Sequence, residues 1–331
     1  MSIPTKMRAI HIAKYGGPEV LEITEAPTPP IGAQEVLIRT AATALNRADL
    51  LQRMGKYPAP KGASPFPGLE VAGTIVSKGD QVSRWKIGDR VCALLPGGGY
   101  AEYVSIPEGM LLPIPIGMSF EQAAAIPEVF LTAHQAIHWL ADLQSGERIL
   151  IHAGASGVGT AAIQLAKHIG TEIIVTASSG KHELCKKLGA DLCIDYKSES
   201  FSEIIAEFTG NKGVDVIIDF IGAPYFQGNL DSLGIDGRLV QLAFMGGVHP
   251  KEVNLGPLLR KRLKLMGSTL RARSLDYKVK LVNDFREKYW PLFAAGTIEA
   301  IIDSVYNWEA VSDAHRRMET NLNQGKIVLK L

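Results

Sequence analysis

The clearest chemical signal in the sequence is the stretch RILIHAGASGVG, residues 148–159, which runs directly into TAAIQLAKHIG. An apolar strand, a turn of small residues and the start of a helix follow one another there. In such a turn, free backbone N–H groups and the helix dipole point at one spot that a phosphate can approach closely. The spacing is not G-x-G-x-x-G, but the turn opens a regular alternation of strands and helices. The pattern therefore predicts a pyrophosphate site, as in dinucleotide-binding proteins.

The next predicted strand bears on which dinucleotide would bind. Enzymes that use NAD usually carry Asp or Glu at the end of this strand, where it binds the ribose hydroxyls. Here the strand reads EIIVTASSGK and ends in Ser178 and Ser179, followed by Lys181, with no acid before Glu183. Hydroxyl groups and a lysine would bind a 2′-phosphate, which a carboxylate would repel. The sequence favours NADPH, although a solvated lysine after a serine turn would look the same.

The elements that position this turn fall into two patterns. Up to Ser119 the chain has short alternating runs such as 35–39, 69–76 and 90–94, separated by many Gly and Pro residues, which is typical of a small β-rich domain. Ser119 and Gln122 form a predicted capping box, and strands and helices then alternate. Six of these strands are predicted, at 148–152, 172–177, 192–196, 214–220, 237–244 and 263–268. The fold class is therefore α/β, with a doubly wound parallel six-stranded sheet.

Composition and charge narrow the function classes. The 331 residues suffice for two domains, and the net charge of +1 gives no general attraction to nucleic acids or anionic membranes. No stretch has the length of a membrane span, and no signal peptide is predicted, so we expect a cytoplasmic protein. The three cysteines, Cys92, Cys185 and Cys193, cannot build a four-cysteine zinc lobe.

The segment PGLEVAGTIVSKGDQVSRWKIGDRV, residues 67–91, resembles the P-G-x-E-x-x-G and G-D-x-V pattern of the medium-chain dehydrogenase/reductase superfamily. In its zinc alcohol dehydrogenases a zinc-binding His precedes the Glu, whereas this chain has Leu69. The stretch ALNRADLLQ has Asn46 near the place of the family's catalytic Cys, and the four-cysteine lobe is missing. These three differences together predict a chain that binds no metal.

The chain resembles the zinc-free quinone oxidoreductases of the zeta-crystallin kind, and among them most closely the tumour-suppressor-inducible subgroup. The shared stretches include ALNRADLLQRMGKY, LLPGGGYAEYV, AAAIPEVFLTA and NQGKIVL, and they cover nearly the whole chain. The resemblance implies a GroES-like β-rich catalytic domain, residues 1–125 and 299–331, and a Rossmann NADPH-binding domain, residues 126–298. It also implies a homodimer, which we expect to form through the edge strand 263–268.

The resemblance further implies which residues contact the cofactor. The family carries A-x-x-G-x-x-G at the turn, whereas this chain has Ser156 in the middle place, which would shift the amides that meet the pyrophosphate. A family Tyr that touches the 2′-phosphate matches Tyr196, which could also be a plain strand-end aromatic. Asn46 could instead cap the next helix, and Thr132 could bond within its own. The expected cofactor-binding residues are Asn46, Thr132, Ala155, Ser156, Gly157, Val158, Ser178, Ser179, Lys181, Tyr196, Gly222, Phe244, Met245, Gly246, Leu270, Arg271 and Asn321.

Three functions remain open. Without a Lewis acid, a simple ketone has nothing to hold its alkoxide, whereas a quinone delocalises the charge. We therefore expect NADPH-dependent hydride transfer to quinones or related conjugated carbonyls, with Asn46 and Tyr57 as the catalytic hydrogen-bond donors. The stretch GKYP at 55–58 also matches the G-x-Y-P of related 2-enoyl thioester reductases, so an enoyl or alkenal double-bond reductase with Tyr57 as proton donor is the alternative. A crystallin-like structural or RNA-binding role is the third, and the near-neutral charge argues against RNA or other nucleic-acid partners.

Overall fold

The computed structural model describes residues 3–331. Within this range there are fifteen strands: β1 (Lys6–Ile12), β2 (Leu21–Pro27), β3 (Glu35–Ala44), β4 (Glu70–Lys78), β5 (Arg90–Leu94), β6 (Tyr103–Pro107), β7 (Leu111–Pro113), β8 (Arg148–Ile151), β9 (Glu172–Thr176), β10 (Leu192–Ile194), β11 (Val214–Asp219), β12 (Leu233–Gln241), β13 (Lys264–Gly267), β14 (Ile302–Asn307) and β15 (Lys326–Lys330).

The same range contains ten α-helices: α1 (Arg47–Arg53), α2 (Phe120–Ala124), α3 (Pro127–His134), α4 (Gly157–Ile169), α5 (His182–Leu188), α6 (Phe201–Phe208), α7 (Phe226–Ser232), α8 (Gly256–Arg260), α9 (Leu275–Ala294) and α10 (Val311–Glu319). Helix α3 continues as a π-helix over Gln135–Leu140. The capping box predicted at Ser119 and Gln122 is confirmed at the start of α2. No helix within residues 3–331 is both long and apolar enough to cross a membrane.

The contacts of the chain divide it into two compact units. One consists of the residues up to Leu131 together with Leu270–Leu331, and the other is Thr132–Thr269. This division differs from the predicted domain bounds chiefly in α9, which has its aromatic contacts in the first unit. The ring centres of Phe285 and Phe293 lie 6.2 Å and 4.9 Å from that of Phe130.

The first unit is built on a seven-stranded sheet in the order β14-β15-β3-β4-β5-β7, with β6 also pairing with β3, and on the antiparallel pair β1 and β2. Strand β3 is antiparallel to both β4 and β15, with Ala42 opposite Ala72 and Ala44 opposite Val328. The end of β3 therefore lies beside the beginnings of β4 and β15. The register thus brings together three chain segments that are far apart in the sequence.

The second unit confirms the predicted doubly wound sheet. Its six strands are parallel in the order β10-β9-β8-β11-β12-β13, with β8 and β11 at the centre, where the order reverses. An apolar cluster that includes Leu150, Ile174 and Ile217 fills one side of the sheet. The fifth strand was predicted to run to 244, but it ends at Gln241. The residues beyond it bond instead to the loop after β11, with Met245 N donating to Phe220 O at 3.0 Å.

Candidate active site

The turn between β8 and α4 is held in a tight conformation. Ser156 is the N-cap of α4, and its Oγ accepts a hydrogen bond from Gly159 N at 3.1 Å. A Cβ atom on Gly159 would lie 2.4 Å from the carbonyl oxygen of Ala153, so the fold of the turn requires glycine there. A serine in the middle place of the motif is thus accommodated as a helix cap.

The same turn fits a pyrophosphate. The backbone N–H groups of Ala155, Gly157 and Val158 have no hydrogen-bond acceptor among residues 3–331. Unpaired N–H groups at the start of a helix, together with the helix dipole, form a site for an anion. Because Ser156 occupies the amide of Gly159, these three amides are the donors that remain for a phosphate.

The predicted cofactor residues of the second unit lie at one edge of its sheet. In doubly wound folds, ligands bind at the carboxyl ends of the strands, next to the point where the strand order reverses. The residues follow the carboxyl ends of five parallel strands: Ala155–Val158 after β8, Ser178–Lys181 after β9, Tyr196 after β10, Gly222 after β11 and Phe244–Gly246 after β12. The sheet therefore brings together residues that are up to 91 positions apart. Thr132, also in this unit, is half-buried within α3.

A buried carboxylate fixes the loop after β11. Asp219 accepts hydrogen bonds from the backbone N–H groups of Ile221 at 2.6 Å and Gly222 at 3.1 Å, and from the amide of Asn229 at 3.0 Å. Asn229 is in turn bonded to His152, whose other ring nitrogen lies 3.0 Å from the Thr176 hydroxyl. Burial lowers the pKa of His152, which favours the neutral ring. This network joins the ends of β8, β9 and β11, and it was not predicted from the sequence.

A second carboxylate lies beside the residues predicted to bind the 2′-phosphate. Asp195, directly after β10, accepts hydrogen bonds from the backbone N–H of Lys197 at 3.1 Å and from the hydroxyl and backbone N–H of Ser179. These hydrogen bonds lower the pKa of Asp195. The sequence prediction considered acids on the second strand alone, whereas this one comes from the third. Ser178, Lys181 and Tyr196, which is 46% exposed, are the remaining predicted contacts.

In the first unit, Asn46 is part of a buried hydrogen-bond network. It lies between β3 and α1, is 8% exposed and is the N-cap of α1. Its amide nitrogen donates to Glu70 Oε1 at 2.8 Å and to Ala44 O at 3.3 Å, and its Oδ1 accepts from Lys326 Nζ at 2.6 Å. Both amide hydrogens are therefore used within the protein. To donate a hydrogen bond to a substrate, the Asn46 amide would have to give up its longer bond, the one to Ala44 O. The catalytic role of Asn46 therefore stays a prediction.

The centre of this network is the ammonium group of Lys326. Its Nζ also donates to Leu45 O at 2.7 Å and to Glu70 Oε1 at 2.7 Å, and the two charged side chains are almost fully buried. Asn46 and Glu70 lie at or next to the places where the zinc dehydrogenases have metal ligands, and Leu69 fills the place of the zinc-binding His. Among residues 3–331, no group of three or more His, Cys, Asp and Glu side chains could hold a metal ion. In this chain Asn46 and Glu70 instead bind the ammonium group of Lys326.

Tyr57 lies in the loop after α1, where it is half-buried against Arg271. The guanidinium carbon of Arg271 is 5.4 Å from the centre of the Tyr57 ring. Two hydrogen bonds, both 2.7 Å long, fix Arg271: its Nε donates to Pro96 O, and its Nη2 donates to Gln52 Oε1. Its buried Nη1 has no hydrogen-bond acceptor among residues 3–331. A cation held against the ring face stabilises the ring's orientation. The predicted cofactor residue Arg271 therefore also positions Tyr57.

Glu128 is an acidic group near Tyr57. Its backbone N–H donates to Glu70 Oε2 at 2.9 Å. Burial, followed by the nearby Glu70 carboxylate, raises the pKa of Glu128 to about 8. Burial also raises the pKa of Tyr57, and the charge of Glu128 raises it further, whereas Arg271 lowers it. At neutral pH, Glu128 is therefore a protonated carboxyl within electrostatic range of the phenol.

The last two predicted cofactor contacts also belong to the first unit. Leu270 is buried, and Asn321 is exposed, with its side-chain oxygen accepting a hydrogen bond from Arg47. Sequence reasoning missed Glu70, Lys326 and Glu128 as site residues. The quoted motifs PGLE, NQGKIVL and AAAIPEVFLTA contain all three, but no local pattern shows that they meet.

Known protein families match segments of both units. The alcohol dehydrogenase GroES-like domain profile matches residues 32–116, and the zinc-binding dehydrogenase profile matches residues 157–294. A quinone oxidoreductase of Pseudomonas aeruginosa is 35% identical, covering 97% of this chain and 99% of the relative. A 2-methylene-furan-3-one reductase of Solanum lycopersicum is 32% identical, covering 99% and 80%.

Among solved structures, a mycobacterial protein in complex with NADPH is similar, with a TM-score of 0.86 and 29% identity over 98% of this chain and all of that one. A GroES-like domain, a six-stranded parallel dinucleotide-binding sheet and full-length similarity to quinone oxidoreductases define the class. The chain belongs to the quinone oxidoreductases of the medium-chain dehydrogenase/reductase superfamily, and it is an oxidoreductase. The predicted α/β fold and family are confirmed.

Proposed function

We propose that this protein is an NADPH-dependent reductase that delivers hydride to quinones or related conjugated carbonyl compounds without zinc. One observation carries the choice of acceptor. Leu69 is at the place of the family's zinc-binding His, and Asn46, near the place of the catalytic Cys, accepts a hydrogen bond from the Lys326 ammonium. A chain without a Lewis acid suits acceptors that stabilise negative charge by themselves. The quinone oxidoreductase relative supports this choice.

The second unit would hold the cofactor, which supplies the hydride when bound. The amides of Ala155, Gly157 and Val158 would bind the pyrophosphate, and Ser178, Lys181 and Tyr196 the 2′-phosphate. The similar mycobacterial structure with NADPH supports this preference. Gly222 and Phe244–Gly246 would line the rest of the site, with Gly222 held by Asp219.

Replacing Lys181 with Ala tests the preference for NADPH. The KM for NADPH is expected to rise about tenfold, because a charge-assisted hydrogen bond to the 2′-phosphate is lost. The KM for NADH should hardly change, since NADH has no such phosphate. Lys187→Ala, a change of an exposed lysine on helix α5, which begins directly after Lys181, is the control. Equal effects of Lys181→Ala on both cofactors would rule out this assignment.

On the first unit, Tyr57 would donate a hydrogen bond to the acceptor oxygen on which negative charge develops. Arg271 holds the Tyr57 ring, and its guanidinium charge offsets part of the rise in the pKa of the phenol that burial causes. Asn46 is proposed as a second donor, after exchange of its 3.3 Å bond to Ala44 O. Solvent would supply the proton that completes the hydroquinone.

The pH dependence tests whether Glu128 influences this chemistry. As the pH rises through about 8, Glu128 loses its proton and adds a negative charge beside Tyr57. We expect kcat/KM for a quinone to fall about fivefold over this step, as a charge effect of about 1 kcal/mol would give. In Glu128→Gln the step should disappear while activity at neutral pH is retained. A pH profile of the variant that matches the wild type would show that Glu128 has no such effect.

A second candidate function is reduction of an activated carbon–carbon double bond, with Tyr57 as the proton donor. The stretch GKYP and the similar 2-methylene-furan-3-one reductase favour it. In this function a protonated Glu128 beside Tyr57 would restore the phenol after each turnover. Comparing NADPH oxidation with naphthoquinone and with a 2-enoyl thioester separates the two functions, and a much higher kcat/KM for the thioester would reverse our choice.

We also propose a homodimer formed through β13. This strand is at the edge of the six-stranded sheet, and Leu265 on it is 38% exposed. An unpaired edge can pair with the same strand of a second copy about a two-fold axis. Light scattering after size exclusion should give the mass of a dimer, and a monomer at micromolar concentration would refute the proposal.

A further inference from the structure

Two of the three cysteines lie together between α5 and β10. Cys185 is in α5 and Cys193 is the middle residue of β10. The Cys193 Sγ lies 3.8 Å from the carbonyl oxygen of His182, the first residue of α5 and three residues before Cys185, and the two thiols are close enough to shift each other's pKa. The strand neighbours of Cys193, Leu192 and Ile194, belong to the apolar cluster that also contains Phe201 and Ile205 of α6. Because successive side chains of a strand alternate, Cys193 points to the other face, toward α5.

The two thiols differ in a way that suits a reactive and a resolving partner. Cys193 is partly exposed and Cys185 is fully buried. The neighbouring Cys185 thiol, together with the nearby charges of His182 and Lys186, lowers the pKa of Cys193. The neighbouring Cys193 thiol, with burial, raises the pKa of Cys185. An accessible thiolate in cationic surroundings is the feature that distinguishes reactive cysteines from inert ones.

The thiol pair is part of the elements that carry the predicted 2′-phosphate contacts. Helix α5 begins directly after Lys181, and Tyr196 is three residues beyond Cys193. The positive charge of Lys181 is close enough to affect the pKa of Cys185. A covalent bond between α5 and β10 would therefore change the spacing of Lys181 and Tyr196.

We propose that Cys185 and Cys193 form a redox-sensitive site at which peroxides close a disulfide, and that this disulfide weakens binding of the 2′-phosphate. The Cys193 thiolate attacks a peroxide oxygen, so that an S–O bond forms, the O–O bond breaks and one water leaves after protonation. The Cys185 sulfur then attacks the sulfenic acid, which forms the S–S bond and releases a second water that takes up the Cys185 proton. Two thiols are oxidised and one hydrogen peroxide is reduced to two waters. The effect on cofactor binding rests on the proposed NADPH site, whereas the disulfide itself does not.

The disulfide is tested on the purified full chain with hydrogen peroxide. Intact mass should show the loss of two hydrogen atoms, alkylation should find one remaining thiol, and dithiothreitol should restore all three. That thiol should be Cys92, which is fully buried and whose pKa burial raises. Cys185→Ser and Cys193→Ser should each abolish the mass change, and Cys92→Ser should leave it intact. If either serine variant fails to fold, the corresponding alanine variant is used.

A wild-type protein that keeps three thiols, or whose Cys193 stops at an oxyacid, would overturn the proposal.

The consequence is tested by titrating the reduced and the oxidised protein with NADPH and with NADH. The Kd for NADPH should rise about tenfold on oxidation, as loss of one charge-assisted contact would give, while that for NADH stays unchanged. Cys185→Ser, treated identically, should show no rise. A complete disulfide with unchanged affinity for NADPH would refute the regulatory effect alone. Reduced protein that binds neither cofactor would instead refute the proposed function, and the mass measurement would still decide the thiol chemistry.

Discussion

Replacement of Lys326 with Met is expected to lower the free energy of unfolding by about 3–5 kcal/mol, because it leaves the Glu70 carboxylate buried without its counter-ion. Lys326 is 2% exposed and Glu70 is fully buried, and their 2.7 Å ion pair is joined by hydrogen bonds to Asn46 and Leu45. Chemical denaturation, followed by tryptophan fluorescence, measures this loss. The variant should also remove the hydrogen bond that the Asn46 Oδ1 accepts.

Two controls separate the buried pair from a general effect of removing a lysine. Lys330→Met, on the same strand β15, breaks the ion pair of an exposed lysine with Glu121 and should cost less than about 1 kcal/mol. The double variant Glu70→Gln with Lys326→Met should be more stable than Lys326→Met alone, because the uncompensated charge is gone. A Lys326→Met protein as stable as Lys330→Met would mean that the network contributes nothing to folding.

Removal of the Tyr57 hydroxyl is the second large effect that we predict. In Tyr57→Phe, kcat/KM for naphthoquinone should fall about tenfold, because one hydrogen bond to the developing oxyanion is lost. The fall is modest since the quinone itself delocalises this charge. If the protein instead reduces enoyl thioesters with Tyr57 as proton donor, the loss on that substrate should be about a hundredfold or more. Steady-state kinetics with both acceptors measures the two values.

The variant is informative because the ring of Tyr57 stays in place. Phe keeps the aromatic face against Arg271, so the half-buried loop should not rearrange. Tyr15→Phe, which changes a ring that is 71% exposed, is the matched control and should leave both activities unchanged. Unaltered kinetics of Tyr57→Phe with both acceptors would exclude Tyr57 from the reaction.

Local patterns predicted most of the second unit. The apolar runs of β8, β9 and β11 and the turn at 154–157 depend on neighbours in sequence, and each was found at or within about two residues of its predicted position. In the first unit β5 was predicted, whereas β14, α10 and the pair β1 and β2 were missed. The buried residues of α10, which are Val311, Ala314, His315 and Met318, follow helical spacing, but the helix is polar overall, so no apolar run marks it in the sequence.

The site was predicted less completely than the fold, because its polar contacts join distant segments. Lys326 and Glu70 are 256 residues apart, and only the antiparallel register of β3 with β4 and β15 brings them together. Likewise, Asp195 reaches Ser179 because β9 and β10 pair in parallel, so a search for acids along one strand could not find it. Periodicity identifies the faces of elements, but not the pairing of their ends.

The most direct test of metal-independent hydride transfer is a single-turnover experiment with the metal-free, NADPH-saturated protein. Naphthoquinone is added, and the loss of nicotinamide absorbance is followed with NADPH and with NADPH deuterated at the transferred position. We predict rapid oxidation of one NADPH per quinone, a slower rate with the deuterated cofactor, and no change on addition of zinc or a chelator. Failure to oxidise bound NADPH faster than the protein-free reaction, or activity that appears only with stoichiometric zinc, would contradict the proposed chemistry.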